Sequence, residues 1–270
     1  MLELSNIHKT FNTGTPNEVR SLIDVSLQIK SGSFVVVLGT NGSGKSTLLN
    51  AVAGSFLVDS GHIKLDRKEI TRWPEHKRAA LIGRVFQNPF SGSAPDMSIA
   101  ENLAMAARRG RSRDFRWALQ PKLMRQFHDR IASLKMGLED RLDNAIGSLS
   151  GGQRQALTLL MATWLKPKLL LLDEHTAALD PKSADQVIRL TEEVITKDRL
   201  TTLMVTHSMA QAVNFGDRII MMHRGKILYD FQDAQKRRLR VDDLLARFEE
   251  VRRREQLDET AAVMLRANYV

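Results

Sequence analysis

Residues Gly39-Thr40-Asn41-Gly42-Ser43-Gly44-Lys45-Ser46 fit the pattern G-x-x-x-x-G-K-[ST] at every fixed position, and Thr47 follows. The run Phe34–Leu38 just ahead of it is apolar throughout. Such a run reads as a strand buried on both faces of a parallel sheet. Lys45–Ala53 reads as a helix, with Gly54 as its stop. Strand, glycine-rich loop and helix in that order restrict the chain to an α/β fold. Glycines let backbone N–H groups converge at the positive end of the helix, an arrangement that holds phosphate. Lys45 is expected to reach the β- and γ-phosphates of a nucleotide, and Ser46 to ligate Mg²⁺ through its hydroxyl.

A second pattern lies downstream. Leu169–Leu172 reads as another buried strand, and Asp173 and Glu174 emerge at its end. Asp173 is expected to hold Mg²⁺ through water. Glu174 is expected to polarise an attacking water as general base, a role worth roughly 10²–10⁴-fold in rate. Between the two patterns stands Leu149-Ser150-Gly151-Gly152-Gln153.

In this order the three motifs resemble the ATP-binding cassette (ABC) family, over about residues 2–231. The resemblance implies a P-loop NTPase (RecA-like) α/β core with an N-terminal antiparallel β subdomain. An α-helical subdomain is inserted at about 91–149, and a basic amphipathic helical tail covers 232–270. It implies ATP and Mg²⁺ as ligands. It also implies a head-to-tail dimer with a second copy or a homologous ATPase subunit, since the LSGGQ segment of the family serves an ATP held by the other subunit. Ser150 would offer its hydroxyl to a phosphate oxygen, and Gly151, Gly152 and Gln153 would open a helix whose N-terminus favours anions. Gln87 takes the place of the family's Q-loop glutamine, which touches Mg²⁺ and water. His207 takes that of the switch histidine at the γ-phosphate, and Asp180 that of the interface aspartate. Phe11 stands where an aromatic stacks on adenine, with Val19 flanking the same base.

The remaining segments fill out that organisation. Leu2–Ile7 and Leu22–Ile29 read as antiparallel strands, and Arg218–Met222 with Lys226–Phe231 as a hairpin turning at Arg224-Gly225. Leu123, Phe127, Ile131 and Leu134 form a helical stripe, and Val241, Leu244, Leu245, Phe248 and Val251 another in the tail. No cysteine is present, so disulfides and thiolate metal sites are excluded. The net charge of +9 includes clusters at Arg108–Arg116, Lys236–Arg240 and Arg252–Arg254, which read as solvated faces, with contact to lipid headgroups or an acidic partner surface as the alternative. No apolar run approaches the ~20 residues that span a bilayer. The expected location is the cytoplasmic face of the plasma membrane, held there through a partner.

Only about sixty residues separate Gln87 from Leu149, too few for the long coiled coil of chromosome-maintenance members. One cassette stands alone, unlike translation-type members, and no nucleic acid partner is expected. A lone cassette resembles bacterial importers, whose partners are integral-membrane permease subunits and, indirectly, an extracytoplasmic solute-binding protein. A soluble ATPase of the iron–sulfur assembly type is the alternative. Thr71-Arg72-Trp73-Pro74-Glu75 and Val85-Phe86-Gln87-Asn88-Pro89 resemble importers paired with permeases of the branched-chain amino acid type. Phe90–Met97 and Ile99–Leu103 are expected to line the groove for a permease helix. Two departures stand out: Thr40 for the common proline, and His175 after Glu174, which would add a titratable group near the base.

Overall fold

The computed structural model describes residues 1–110, 120–251 and 253, so part of the first and last basic clusters lies outside the described residues. In chain order the elements are β1 (Leu2–Phe11), β2 (Val19–Ile29), β3 (Phe34–Gly39), α1 (Lys45–Ala53), β4 (Ser60–Leu65) and β5 (Lys68–Glu69). Next come α2 (Glu75–Arg78), β6 (Ile82–Val85), α3 (Ile99–Ala107), α4 (Pro121–Ala132), α5 (Gly151–Thr163) and β7 (Leu169–Asp173). The series closes with α6 (Pro181–Asp198), β8 (Thr202–Val205), α7 (Met209–Asn214), β9 (Arg218–His223), β10 (Lys226–Gln232) and α8 (Asp233–Arg238).

Two sheets carry the fold. The first is antiparallel, in the order β2-β1-β4-β5, and the second runs β10-β9-β3-β8-β7-β6. Within the second, β9, β3, β8, β7 and β6 are parallel and only β10 is antiparallel. The β9–β10 hairpin turns through Arg224 and Gly225, both at positive φ, as a tight two-residue turn requires.

The two-residue period of the strands sorts their side chains between two cores. Val35, Val37, Leu169, Leu171, Leu203 and Val205 face one core, shared with α1 and the antiparallel sheet. Val36, Leu38, Leu170, Leu172 and Met204 face the other, under α5, α6 and α7. This is why these strands read as unbroken apolar runs. A third core unites α3, α4 and the α5 face bearing Leu157, Met161 and Trp164. Phe127 and Ile131 of the expected stripe are fully buried in it.

Two expectations need correction. Ile99 and Leu103 have no exposed surface and belong to that third core, so they line no groove. The reason is the capping box at Ser98 and Glu101, which starts α3 with Ile99 already turned inward. In the tail, residues 241–251 are helical. Leu244 is buried and Phe248 packs against the second core, but Leu245, one residue further round the helix, faces solvent.

The C-terminus of α1 ends on Gly54 in the left-handed conformation. Fully buried Arg78 stands against it. Its guanidinium donates to the carbonyls of Ala51 (2.7 Å) and Val52 (2.9 Å), and to those of Thr71 (2.8 Å) and Trp73 (2.9 Å). One side chain therefore satisfies the free carbonyls of the helix and fastens the Thr71–Trp73 segment to it. Arg78→Met leaves those carbonyls unpaired, and we expect a loss of about 2–4 kcal/mol. Calorimetry should then show a melting temperature lower by about 5–10 °C.

Candidate active site

The glycine-rich loop leaves β3 at the centre of the parallel sheet. A Cβ on Gly39 would lie 2.4 Å from Ser43 Oγ and 2.5 Å from the Met222 carbonyl oxygen, so only glycine fits. Gly42 and Gly44 both hold positive φ. Lys45 is buried and its Nζ donates to the carbonyls of Gly39 and Thr40, each at 3.0 Å. Burial holds its ammonium below the usual lysine range, while the nearby carboxylates of Glu174 and Asp173 act in the opposite sense. Ser43 Oγ is buried with no hydrogen-bond partner among the described residues, an acceptor-donor left over inside the cradle. Asn41, Gly42 and Ser46 are exposed, and Thr40 and Thr47 are half-buried.

The carboxylates reach the same edge on β7. Asp173 Oδ1 lies 3.5 Å from Ser46 Oγ, on the first turn of α1. A hydroxyl and a carboxylate oxygen, with no cluster of three or more metal-ligating side chains among the described residues, suit Mg²⁺. That ion keeps several waters and takes one or two carboxylates plus substrate phosphates. Glu174 follows with φ 44°, a left-handed backbone that turns its side chain back over the sheet edge. Its Oε1 lies 2.6 Å from His207 Nε2, at the end of β8. Gln87 is exposed just beyond β6 and makes no hydrogen bond to this group.

The other expected residues form two separate places. Phe11 lies opposite Val19 in the β1–β2 pairing, and its ring meets Phe56 edge-on at 5.2 Å. Lys9 Nζ sits 5.4 Å from both rings. The LSGGQ segment opens α5. Ser150 Oγ accepts from the Gln153 N–H and Gln153 Oε1 accepts from the Ser150 N–H, a reciprocal cap. Gly152 has no room for a side chain, because a Cβ there would lie 2.8 Å from Ser183 Cβ at the start of α6. Asp180 caps that same helix by accepting from the Ser183 N–H at 3.0 Å. The structure thus gathers Lys45, Ser46, Asp173, Glu174 and His207 in one place and Ser150–Gln153 with Asp180 in another. No hydrogen bond joins the two.

Two residues and the role of a third escaped the sequence reading. Arg84 Nη2 bonds Asn50 Oδ1 at 2.6 Å and lies 3.4 Å from Asp173 Oδ2, so Asp173 has Ser46 beside one oxygen and Arg84 beside the other. An arginine inside the otherwise apolar β6 was the available signal. Gln211 of α7 bridges Thr206 (2.6 Å) and Thr176 (3.4 Å), tying the loop after Glu174 to the residue just before His207. Nothing in the pattern announces that bridge. The third is the role of His175, which does not add a charge near the base. It is buried, and since Thr191 Oγ1 donates to the Val187 carbonyl, His175 Nε2–H donates to Thr191 Oγ1 at 3.1 Å.

The chain matches the family model described as "ABC transporter" over residues 22–177. It belongs to the ABC transporter ATP-binding family. A tyrosine transport ATP-binding protein of Clostridioides difficile is 42% identical over 251 residues, covering 92% of this chain and 99% of that protein. A spermidine/putrescine import ATP-binding protein of Haemophilus influenzae is 35% identical, covering 85% of this chain but 57% of its own length. A dimeric ATP-binding cassette solved with ADP and Pi has a TM-score of 0.73 at 27% identity, covering 86% of this chain and 98% of that one. This ABC ATPase is therefore a nucleotide-binding, ATP-hydrolysing subunit of the transporter type. No helix among the described residues is long and apolar enough to cross a membrane.

Burial pushes His175 of this ABC ATPase down from 6.5 to about 4. The unfolded chain takes up the proton first as pH falls, so the contribution is complete above about pH 6.5 and is lost on the way down through pH 4. The depression corresponds to about 3 kcal/mol. Urea unfolding between pH 7 and pH 4 should show this slope in the wild type, and His175→Gln should remove that part of it.

Proposed function

We propose that two copies of this chain, or this chain and a homologous subunit, bind two ATP·Mg²⁺ head to tail and drive a separate membrane permease. The observation that supports this most is the LSGGQ segment itself. It is capped, tightly packed against α6 and exposed at Ser150 and Gly151, yet it shares no hydrogen bond with the phosphate loop of its own chain. A loop built this way fits a nucleotide held by another subunit, and a likeness to a dimeric cassette bound to ADP and Pi supports the same arrangement.

Within each site Lys45 binds the β- and γ-phosphates, once it exchanges its two loop carbonyls for them, and Thr40–Thr47 supply backbone N–H groups. Ser46 and Asp173 would hold Mg²⁺, with Gln87 joining them, and the ion would supply positive charge against the charge that develops on the phosphates. Glu174 accepts the proton of the attacking water, and His207 orients the Glu174 carboxylate and donates toward the γ-phosphate. Phe11 stacks on adenine. Ser150–Gln153 of the second copy close the site, with Asp180 at the shared interface. Residues 1–231 form the ATPase domain, with its helical subdomain at about 91–149, and 232–270 form the tail.

The transported solute is an amino acid, a reading supported by the tyrosine transport relative. The chain works on the cytoplasmic face of the plasma membrane, bound to permease subunits and, through them, linked to an extracytoplasmic solute-binding protein. Exposed Phe90 and Met105 are the apolar contacts offered to the permease, beside a cavity of about 490 Å³ lined by Phe86, Ser91 and Asn102.

Purification of a tagged chain from native membranes tests the assignment. A polytopic permease in the eluate is expected, and soluble partners alone would favour the iron–sulfur assembly type. Glu174→Gln should keep ATP binding, lower turnover at least ~10²-fold and accumulate an ATP-bound dimer by size-exclusion chromatography. In that background Ser150→Arg should abolish the dimer while ATP binding by the monomer, followed by fluorescent-nucleotide titration, is retained.

A further inference from the structure

The first turn of α5 does more than present the LSGGQ segment. Arg154, the residue after Gln153, is only 4% exposed, and its partners among the described residues include no carboxylate. Its Nη2 donates to the carbonyls of Gly147 and Leu149, both at 2.9 Å, and its Nε to that of Ile146 at 3.3 Å. These carbonyls belong to the 3₁₀ turn Ile146–Ser148 and to Leu149, the chain that leads directly into Ser150. The carbon of the same guanidinium sits over the Phe90 ring, 3.6 Å from its centroid. Phe90 is 47% exposed and sits in the 3₁₀ turn Pro89–Gly92. Next along, fully buried Gln155 donates from Nε2 to the Phe86 carbonyl at 3.1 Å.

Gln87 therefore lies between two residues, Phe86 and Phe90, that are each held by the opening turn of α5. A buried cation without an acid is costly unless its hydrogen bonds are met, so Arg154 holds the incoming LSGGQ loop and Phe90 in one fixed relation. Only a planar fork can bridge several carbonyls and stack on a ring at once, which a lysine ammonium cannot do.

We propose that Arg154 is the positioning residue of the LSGGQ loop, and that with Gln155 it forms a strut fixing that loop to the segment Phe86–Phe90. This inference rests on the in-trans role of LSGGQ given above.

The test uses the full chain carrying Glu174→Gln. ATP-driven dimerisation is measured by analytical ultracentrifugation, and ATP affinity by fluorescent-nucleotide titration at concentrations where the chain is monomeric. Arg154→Lys keeps the charge and loses the fork, so the dimer constant should weaken by about tenfold or more while monomer ATP affinity stays within about twofold. Phe90→Ala removes the stack and should weaken dimerisation about threefold, with Phe90→Tyr restoring it. An unchanged dimer constant in Arg154→Lys, or monomer ATP affinity falling in step with it, overturns the inference. Should Arg154→Lys yield no soluble protein, equal dimer constants for Phe90→Ala and Phe90→Tyr overturn it. A Glu174→Gln parent that stays monomeric with ATP overturns the in-trans reading and this inference together, whereas a dimerising parent with unchanged variants overturns this inference alone.

Discussion

Val205 pairs with Val37 on one side and with Asp173 on the other. That double pairing of β8 between β3 and β7 is the constraint on which the site depends. Parallel strands in register end at the same edge, so the loops leaving β3, β7 and β8 emerge side by side. Backbone bonds continue the register past the strands, from Glu174 N–H to the Val205 carbonyl and from Thr206 N–H to the Val37 carbonyl. Residues distant in the chain, Lys45, Asp173 and His207, meet because three strands share one edge. The unbroken apolar composition of β3 and β7 makes this arrangement stable, since each buries both faces.

On this edge the polar residues work in layers. Ser46, Asp173 and Glu174 stand at the edge where the glycine-rich loop and β7 end, and behind them Arg84, His175 and Gln211 hold the backbone and side chains that carry them. His175 ties the segment after Glu174 to α6, and Gln211 ties it to α7 and to Thr206, just before His207. Buried polar groups of this kind fix one geometry because any displacement leaves a donor or acceptor without a partner. The same logic operates at Arg78 behind the phosphate-loop helix and at Arg154 behind the LSGGQ loop. In each case an arginine gathers carbonyls that local structure leaves open.

The fold was legible wherever a local rule was strong. The α1 limits follow from the loop before it and Gly54 after it, and the buried strands follow from their composition. The antiparallel β1–β2 pair, the hairpin at Arg224-Gly225 and the buried face of α4 follow from periodicity and turn chemistry. Ile99, Leu103 and Leu245 were misread because an apolar residue at the right spacing does not say which neighbour covers it. That depends on the cap at Ser98 and on how far residues 241–251 roll against the second core.

By itself the sequence determined the chemistry on offer: a glycine-rich phosphate loop, a lysine and serine beside it, two acids after an apolar strand, and the Ser150–Gln153 segment opening a helix. These are short-range properties, written in adjacent residues. Only the tertiary structure decided which of them share a site. It set Glu174 against His207 and Asp173 between Ser46 and Arg84, buried His175 as a neutral donor, and joined Phe90 to the LSGGQ loop through Arg154. Each of these contacts crosses many residues of chain, and its distance is fixed by strand register and core packing, which no local pattern encodes.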